Sequence, residues 1–118
     1  MNLDEFIEKN NIAIFVKADY RAKRFEVFKN DIVLESSDLF EQLISYGNVD
    51  ELFANIKGQI LPRIWSQGKT KCVICQINEE LLVAIFYDTT MDAKDNYLFA
   101  KQLESNIKEL FIIWEKLS

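Results

Sequence analysis

The chain has 118 residues, of which 49% are hydrophobic and 13% aromatic, with only three glycines and one proline. This balance favours one domain, residues 1–118, with a core of its own, and argues against disorder. The formal net charge of −5 argues against nucleic acid as a partner, because like charges repel. No apolar run approaches the roughly 20 residues of a membrane span. Because acidic residues stand where the basic start of a signal peptide would lie, we expect a cytoplasmic location.

The first 35 residues predict a short helix followed by two or three strands. Residues 2–10 have apolar side chains at helical spacing. Residues 12–18 are rich in β-branched side chains, which favour a strand, and a helix that continues through Arg24 is the alternative. Residues 24–29 alternate, Asn30-Asp31 marks a turn, and residues 32–35 resume extended character, so this part predicts a hairpin.

The middle of the chain predicts a second helical region. The stretch Ser37-Asp38-Leu-Phe-Glu41 fits a capping box, with Ser37 or Asp38 as the cap and Glu41 able to reach back to the free backbone amides. An apolar stripe follows, is interrupted at Gly47, and continues from residue 49 to Trp65. Pro62 lacks an N–H and clashes with the preceding turn, which predicts a kink or break just before it.

The second half predicts an antiparallel hairpin and a closing helix. The two strands are residues 70–77 and 80–87, joined at Asn78-Glu79, and the helix covers residues 92–117. The run 80–88 is apolar at successive positions, so the strand needs cover on both faces. A chain this short has few elements for that purpose, and part of the cover is expected from a second copy or a partner. The predicted fold is α+β, an antiparallel sheet of about five strands with helices packed on it, in the order α-β-β-(β)-α-β-β-α.

Two cysteines, Cys72 and Cys75, lie three residues apart within a predicted strand, so their side chains point to opposite faces. A redox pair would need a helix N-terminus to lower a thiol pKa. Zinc would need four ligands, which this histidine-free chain could assemble only across a dimer or with carboxylates. We interpret both as buried structural cysteines, with a bridged metal or oxidation-sensitive thiols as alternatives.

No residue pattern indicates a reaction. The chain has no histidine, so Ser-His and Cys-His arrangements are excluded. Its three glycines stand apart and form no phosphate-binding loop. The acidic residues at predicted turns and strand ends are typical of backbone caps; these are Asp19, Asp31, Asp88 and Asp92. The protein is therefore expected to be non-enzymatic and to use no cofactor or metal.

Association is the clearer expectation. The apolar positions exceed what one small sheet would need, and exposed apolar patches usually indicate an interface. A homodimer is expected, although core packing is the first interpretation of Phe53 and Trp114, with an interface role as the second. The residues expected near the interface are Phe40, Ile44, Phe53, Leu81, Val83, Ile85 and Trp114. A basic cluster between Lys17 and Arg24 indicates either a solvated turn or a contact with an acidic surface.

The second half resembles the roadblock/dynein light chain family. The sequence Gly-Lys-Thr-Lys-Cys-Val-Ile-Cys-Gln-Ile-Asn-Glu-Glu-Leu-Leu-Val-Ala-Ile-Phe-Tyr-Asp at residues 68–88 is similar to its strand pair, and residues 31–38 to its second strand and helix entry. A typical member has a longer first helix and a glycine where this chain has Asn30-Asp31. The resemblance implies a roadblock-like dimer that joins sheets edge to edge and packs its second helices together. It also implies an adaptor that binds a small GTPase or a larger scaffold.

Two other classes share some of these features. Type III secretion chaperones are small, acidic and dimeric, with three strands before the middle helix and two after it, and the closing helix here is similar to theirs. That resemblance would imply apolar grooves that hold an unfolded segment of a secreted effector. A small acidic inhibitor or immunity protein would fit the charge alone.

Overall fold

A computed structural model describes residues 2–58 and 62–117 of the chain, with side chains up to residue 112. The helices are α1 (Leu3–Lys9), α2 (Asp38–Phe40), α3 (Val49–Ile56) and α4 (Ala93–Leu117), and a π-helical turn, Glu41–Ser45, continues α2. The strands are β1 (Ile14–Asp19), β2 (Arg24–Lys29), β3 (Arg63–Gln67), β4 (Thr70–Asn78) and β5 (Leu81–Asp88). The predicted α+β fold with a five-stranded antiparallel sheet is confirmed.

The sheet joins the two halves of the chain at its centre. Its strand order is β2-β1-β5-β4-β3, and every neighbouring pair is antiparallel. Strand β1 pairs with β2 on one side and with β5 on the other, so that Phe15 lies between Phe28 and Ile85. Strands β2 and β3 are therefore the two edges of the sheet.

Helices of the same chain cover both faces of β5, as its two-sided apolar pattern requires. Leu82, Ala84 and Phe86 pack in one core cluster with residues of α2, the π-helical turn and α3, which we call the α2–α3 face. Val83, Ile85 and Tyr87 pack on the other side, with residues of α1 and α4, which we call the α1–α4 face. All six side chains are at most 2% exposed. The expectation that a second copy supplies part of this cover is therefore wrong for the strand itself.

Local sequence signals explain where several elements begin and turn. Asn2 caps α1 by accepting a hydrogen bond from the backbone N–H of Glu5, at 2.8 Å, and Asn48 caps α3 through the N–H of Glu51, at 2.9 Å. The side chain of Asn78 accepts from the N–H of Glu80 at 2.8 Å and closes the tight β4–β5 turn. These asparagines satisfy backbone donors that would otherwise lack partners.

The hairpin of the first half uses a different turn from the predicted one. Strand β2 pairs with β1, and residues 20–23 form the turn between them. In this turn Lys23 has a φ of 55°. Residues 32–35 do not form a strand, because the N–H groups of Glu35 and Ser36 bond to the side chains of Asp88 and Thr70 and not to β2. They instead run along one end of the sheet. The predicted hairpin of residues 24–29 with 32–35 is wrong.

The predicted middle helix is too long. Helix α3 ends at Ile56, and Ile64 and Trp65 lie on β3, opposite Val73 and Cys72 of β4. The predicted break before Pro62 falls partly on residues 59–61, which lie outside the described residues. The chain therefore has two strands before its middle helices and three after them.

The predicted capping box at Ser37 is wrong in its details. A helix does begin at the next residue, but the Ser37 side chain accepts no backbone hydrogen bond. Its hydroxyl instead lies 3.4 Å from a carboxylate oxygen of Glu41. The backbone N–H of Tyr46 reaches back five residues to the carbonyl of Glu41 at 2.8 Å, which is the hydrogen bond of a π-helix.

Candidate functional site

The predicted interface residues do not form one patch. Phe40, Ile44 and Phe53 belong to the α2–α3 face. Leu81, Val83 and Ile85 pack on the α1–α4 face, on the opposite side of the sheet. Trp114 lies in α4, but its side chain is outside the described ones.

Burial further limits which of these side chains can meet a partner. Val83 and Ile85 are fully buried and Ile44 is 6% exposed, so the folded chain offers almost none of their surface. Phe40 and Phe53 are half-buried. The Phe40 ring lies edge-on to Phe86, with 5.5 Å between ring centroids. Contact with a second subunit remains a prediction for the half-buried residues.

The two cysteines lie on β4 as predicted, with their side chains on opposite faces. Cys72 packs in the α2–α3 face and Cys75 in the α1–α4 face, both are free thiols, and both are 0% exposed. Burial raises the pKa of Cys72 well above its ordinary value and raises the pKa of Cys75 to about 12. Both thiols are therefore protonated and inaccessible in the folded chain, as structural cysteines are.

Most of the turn aspartates act as backbone caps. Asp19 accepts from the N–H of Ala22 at 3.0 Å, and Asp92 accepts from the N–H of Asp95 at 2.8 Å. Asp88 accepts from the N–H of Glu35 at 2.8 Å. Among the described side chains, those of residues 2–58 and 62–112, no three of His, Cys, Asp or Glu lie close enough to hold a metal ion. No described helix is long and apolar enough to cross a membrane.

Residues 30–37 are fastened across the end of the sheet and form one wall of a groove. The N–H of Asn30 bonds to the carbonyl of Ala13 at 2.9 Å, and the N–H of Ser36 bonds to the Thr70 hydroxyl at 3.1 Å. The groove has a volume of about 350 Å³. Its lining consists of Ile14, Lys29, Asn30, Ile32, Val33, Leu34, Ser37, Phe40, Glu41 and Ser45. Val33, at the lip, is 89% exposed.

The opposite wall of this groove is the π-helical turn, whose end depends on Gly47. A Cβ atom at Gly47 would lie 2.3 Å from the carbonyl oxygen of Leu43, a distance that side-chain carbons do not adopt. The neighbouring Tyr46 is 83% exposed. The wall is thus built by a rare helical geometry that requires glycine at one position.

The two sheet edges differ in chemistry. Strand β3 carries polar, exposed Ser66 and Gln67, with Trp65 at its midpoint. Strand β2 carries Arg24 and Lys29 at its ends. Among the described residues, neither strand has a second neighbour on its outer side. Both edges therefore present unpaired backbone N–H and C=O groups, which are templates for another strand.

Sequence reasoning missed the β3 edge and the groove for separate reasons. The spacing of Ile56, Ile60 and Ile64 fits a helix, which concealed a five-residue strand. The apolar run 32–34 was interpreted as a paired strand, although it is an exposed wall. The excess of apolar residues was the only signal that either surface exists.

A scan of protein-family models finds none that matches the chain, and a search of curated proteins finds no match either. The functional argument therefore rests on the geometry of the chain itself.

Proposed function

We propose that this protein is a non-enzymatic, cytoplasmic homodimeric adaptor of the roadblock type, in which two copies join through their β3 edges. The observation that carries the proposal is the self-complementary sequence of β3. In an antiparallel pair of two copies centred on Trp65, each Trp65 lies opposite its counterpart. Ile64 then lies opposite Ser66, and Arg63 opposite Gln67. No like charges meet, and an aromatic pair occupies the two-fold axis.

The position of α2 supports this arrangement. The side-chain amide of Gln67 donates to Asp38 of α2 at 3.0 Å, so α2 lies beside the β3 edge. Arg63, Trp65 and Gln67 lie on the α2–α3 face, since their partners on β4 include Cys72 and Ile74 of that cluster. A second copy paired at β3 would therefore bring its α2 alongside. This matches the edge-to-edge sheets and packed second helices that the roadblock resemblance implies.

The number of strands on each side of the middle helices favours this class over the secretion chaperones. Two strands precede the middle helices and three follow. The chaperone pattern has three and then two. An adaptor of this class would bind a small GTPase or a scaffold through surfaces outside the β3 edge. Its net charge of −5 would help to keep the unbound dimer soluble.

The test is light scattering across a dilution series with two opposite substitutions at one exposed position. Gln67→Lys would place a lysine opposite Arg63 of the second copy, twice in each dimer. We expect it to weaken dimerisation by about 3- to 30-fold, because like charges directly opposite are destabilising. Gln67→Glu would place a carboxylate there and is expected to strengthen the dimer by a similar factor.

The two substitutions should have opposite effects on dimerisation and on the stability of each folded copy. A change in dimer affinity therefore cannot be mistaken for a change in folding. Beside Asp38, a lysine at position 67 would stabilise the folded chain and a glutamate would destabilise it. Val27→Lys, on the opposite edge, is the control and should leave the dimer unchanged. A parent protein with a mass of 13.9 kDa at every concentration would contradict the proposal, as would equal dimer affinity of the two position-67 variants.

A further inference from the structure

The charge of this acidic chain is distributed unevenly. Residues 17–29 carry five basic and two acidic side chains, a net charge of +3. Because the whole chain has a net charge of −5, all other residues together carry −8. Three of these basic residues lie in ion pairs, namely Lys17 with Glu26, Arg21 with Glu80, and Lys23 with Asp50. The other two are Arg24 and Lys29.

Arg24 and Lys29 mark the two ends of the β2 edge. Neither forms an ion pair with any of the described side chains, those of residues 2–58 and 62–112. Lys29 lies over the Phe40 ring, 5.5 Å from its centroid, and lines the groove. The two cations stand five residues apart on an extended strand, a separation of about 17 Å.

A second copy of the chain does not suit this edge. Residues directly opposite each other in an antiparallel pair lie on the same face of the sheet. In a two-fold pair of β2 strands, Lys29 could therefore lie only opposite Phe25, Val27 or Lys29 of the other copy, and none of these is a carboxylate. The charges of Arg24 and Lys29 instead favour a strand that brings a carboxylate to each end of β2.

The apolar surface beside β2 can receive side chains of such a strand. Val27 shares the α2–α3 face with Val16 and is 39% exposed, and the half-buried Phe25 lies two residues away on the same face. Beyond Lys29 the surface continues into the groove, whose apolar walls include Ile32 and Phe40. Glu41 is the one carboxylate among the lining residues of this groove.

We propose that the β2 edge and the adjoining groove bind an extended segment of another protein that carries acidic residues on both sides of an apolar stretch. The segment adds a sixth strand to the sheet, its backbone pairs with β2, and its carboxylates lie beside Arg24 and Lys29. Its apolar side chains cover Phe25 and Val27 and enter the groove. The proposal rests on the proposed function only in that the second copy uses β3 and leaves β2 available.

The probe is a fluorescent peptide, Glu-Thr-Ile-Thr-Val-Glu, whose two acids have the spacing of Arg24 and Lys29. Binding is measured by anisotropy to the full chain. A peptide with lysines in place of both glutamates is expected to bind at least about tenfold more weakly, since two attractive cross-strand pairs become repulsive. Affinity for the acidic peptide should fall between low and physiological salt, because both cations are exposed.

Two controls test the pairing itself. In the double variant Arg24→Glu/Lys29→Glu, the preference should reverse in favour of the lysine peptide. A peptide with both apolar residues replaced by proline keeps its charges but cannot complete the backbone pairing. It should therefore bind at least about tenfold more weakly than the parent peptide.

The outcomes separate this proposal from its alternatives. Equal binding of the acidic and lysine peptides, or binding of neither at millimolar concentration, would overturn it. If the proline peptide bound as well as the parent, the surface would recognise acidic charge without strand addition, and the proposal would be wrong. Binding by the Gln67→Lys variant shows whether the site works without the dimer, so failure of the dimer and failure of this site are distinguishable.

Discussion

The Thr70 hydroxyl donates a hydrogen bond of 2.6 Å to Oδ1 of Asp88, its partner across the β4–β5 pair. The other carboxylate oxygen of Asp88 accepts from the N–H of Glu35, and the Thr70 hydroxyl oxygen accepts from the N–H of Ser36. Thr70 is fully buried. Two side chains from neighbouring strands thus hold one wall of the groove against the end of the sheet.

Thr70→Val is expected to lower the free energy of unfolding by about 1–3 kcal/mol, because it removes both hydrogen bonds of a buried hydroxyl. Thr70→Ser keeps the hydroxyl and is the matched control. Urea denaturation measures the loss. Hydrogen exchange at the amides of Glu35 and Ser36 should speed up in the valine variant and much less in the serine variant. Unchanged exchange in the valine variant would show that other contacts hold this segment.

Gly47→Ala is expected to destabilise the fold by about 1–3 kcal/mol, since the new methyl group would overlap the Leu43 carbonyl oxygen. Gly68→Ala is the comparison. Its Cβ would meet no atom closer than 3.9 Å, but its φ of 60° should cost about 1 kcal/mol. The larger loss should be at position 47, measured by urea denaturation. A smaller loss there would mean that the π-helical turn relaxes easily.

The two thiols should be unreactive in the folded protein. At pH 8 a thiol-specific reagent such as DTNB should modify neither Cys72 nor Cys75, and should modify both in guanidinium chloride, because burial keeps them protonated and shielded. Rapid modification of the native protein would show that β4 opens readily.

The raised pKa values of the two thiols predict that the folded protein loses stability in alkali. Their folded pKa values are raised above the ordinary 9.0, to about 12 for Cys75. Stability from these groups is therefore fully present below pH 9 and falls as the pH rises toward the folded values. The expected slope is about 1.4 kcal/mol per pH unit for each thiol. Cys75→Ala should show a shallower decline between pH 9 and 11 than the parent protein.

Tyr87→Phe should also destabilise the fold. The Tyr87 hydroxyl donates to Oδ1 of Asn96 at 2.6 Å, and Asn96 is only 4% exposed, so the phenylalanine variant would leave a buried amide oxygen without this donor. We expect a loss of about 1–3 kcal/mol in urea denaturation. Tyr97→Phe is the control, at a half-buried position next to Asn96 on α4. It should change the free energy of unfolding by less than about 0.5 kcal/mol.

The sequence predicted most of the sheet because its strands have strong local signals. The β4–β5 hairpin carries an apolar pattern and an asparagine turn, and both were interpreted correctly. The β1–β2 turn was missed because it contains Lys23 at a positive φ, where a glycine or asparagine would have been the usual signal. Residues 32–35 have strand propensity, but the side chains of Asp88 and Thr70 hold the N–H groups of Glu35 and Ser36 across the end of the sheet, and only the tertiary arrangement supplies these partners.

The candidate surfaces were less predictable than the fold. Residues with the strongest apolar signal, such as Val83 and Ile85, are in the centre of the sheet, where no partner can reach them. The edges are defined by strand order, and strand order depends on contacts between distant parts of the chain. The sequence alone therefore does not indicate that polar Gln67 and charged Arg24 lie on the two edges of the sheet.

The pairing of β1 with β5 has a consequence for synthesis of the chain on the ribosome. The first hairpin has no neighbour for its inner edge until residues 81–88 have been made. Until then Phe15 and Val16, both fully buried in the folded chain, lack the strand that lies beside them. A nascent chain that ends before β5 should therefore remain sensitive to protease and should bind chaperones. Resistance should appear in a single step once β5 has left the exit tunnel.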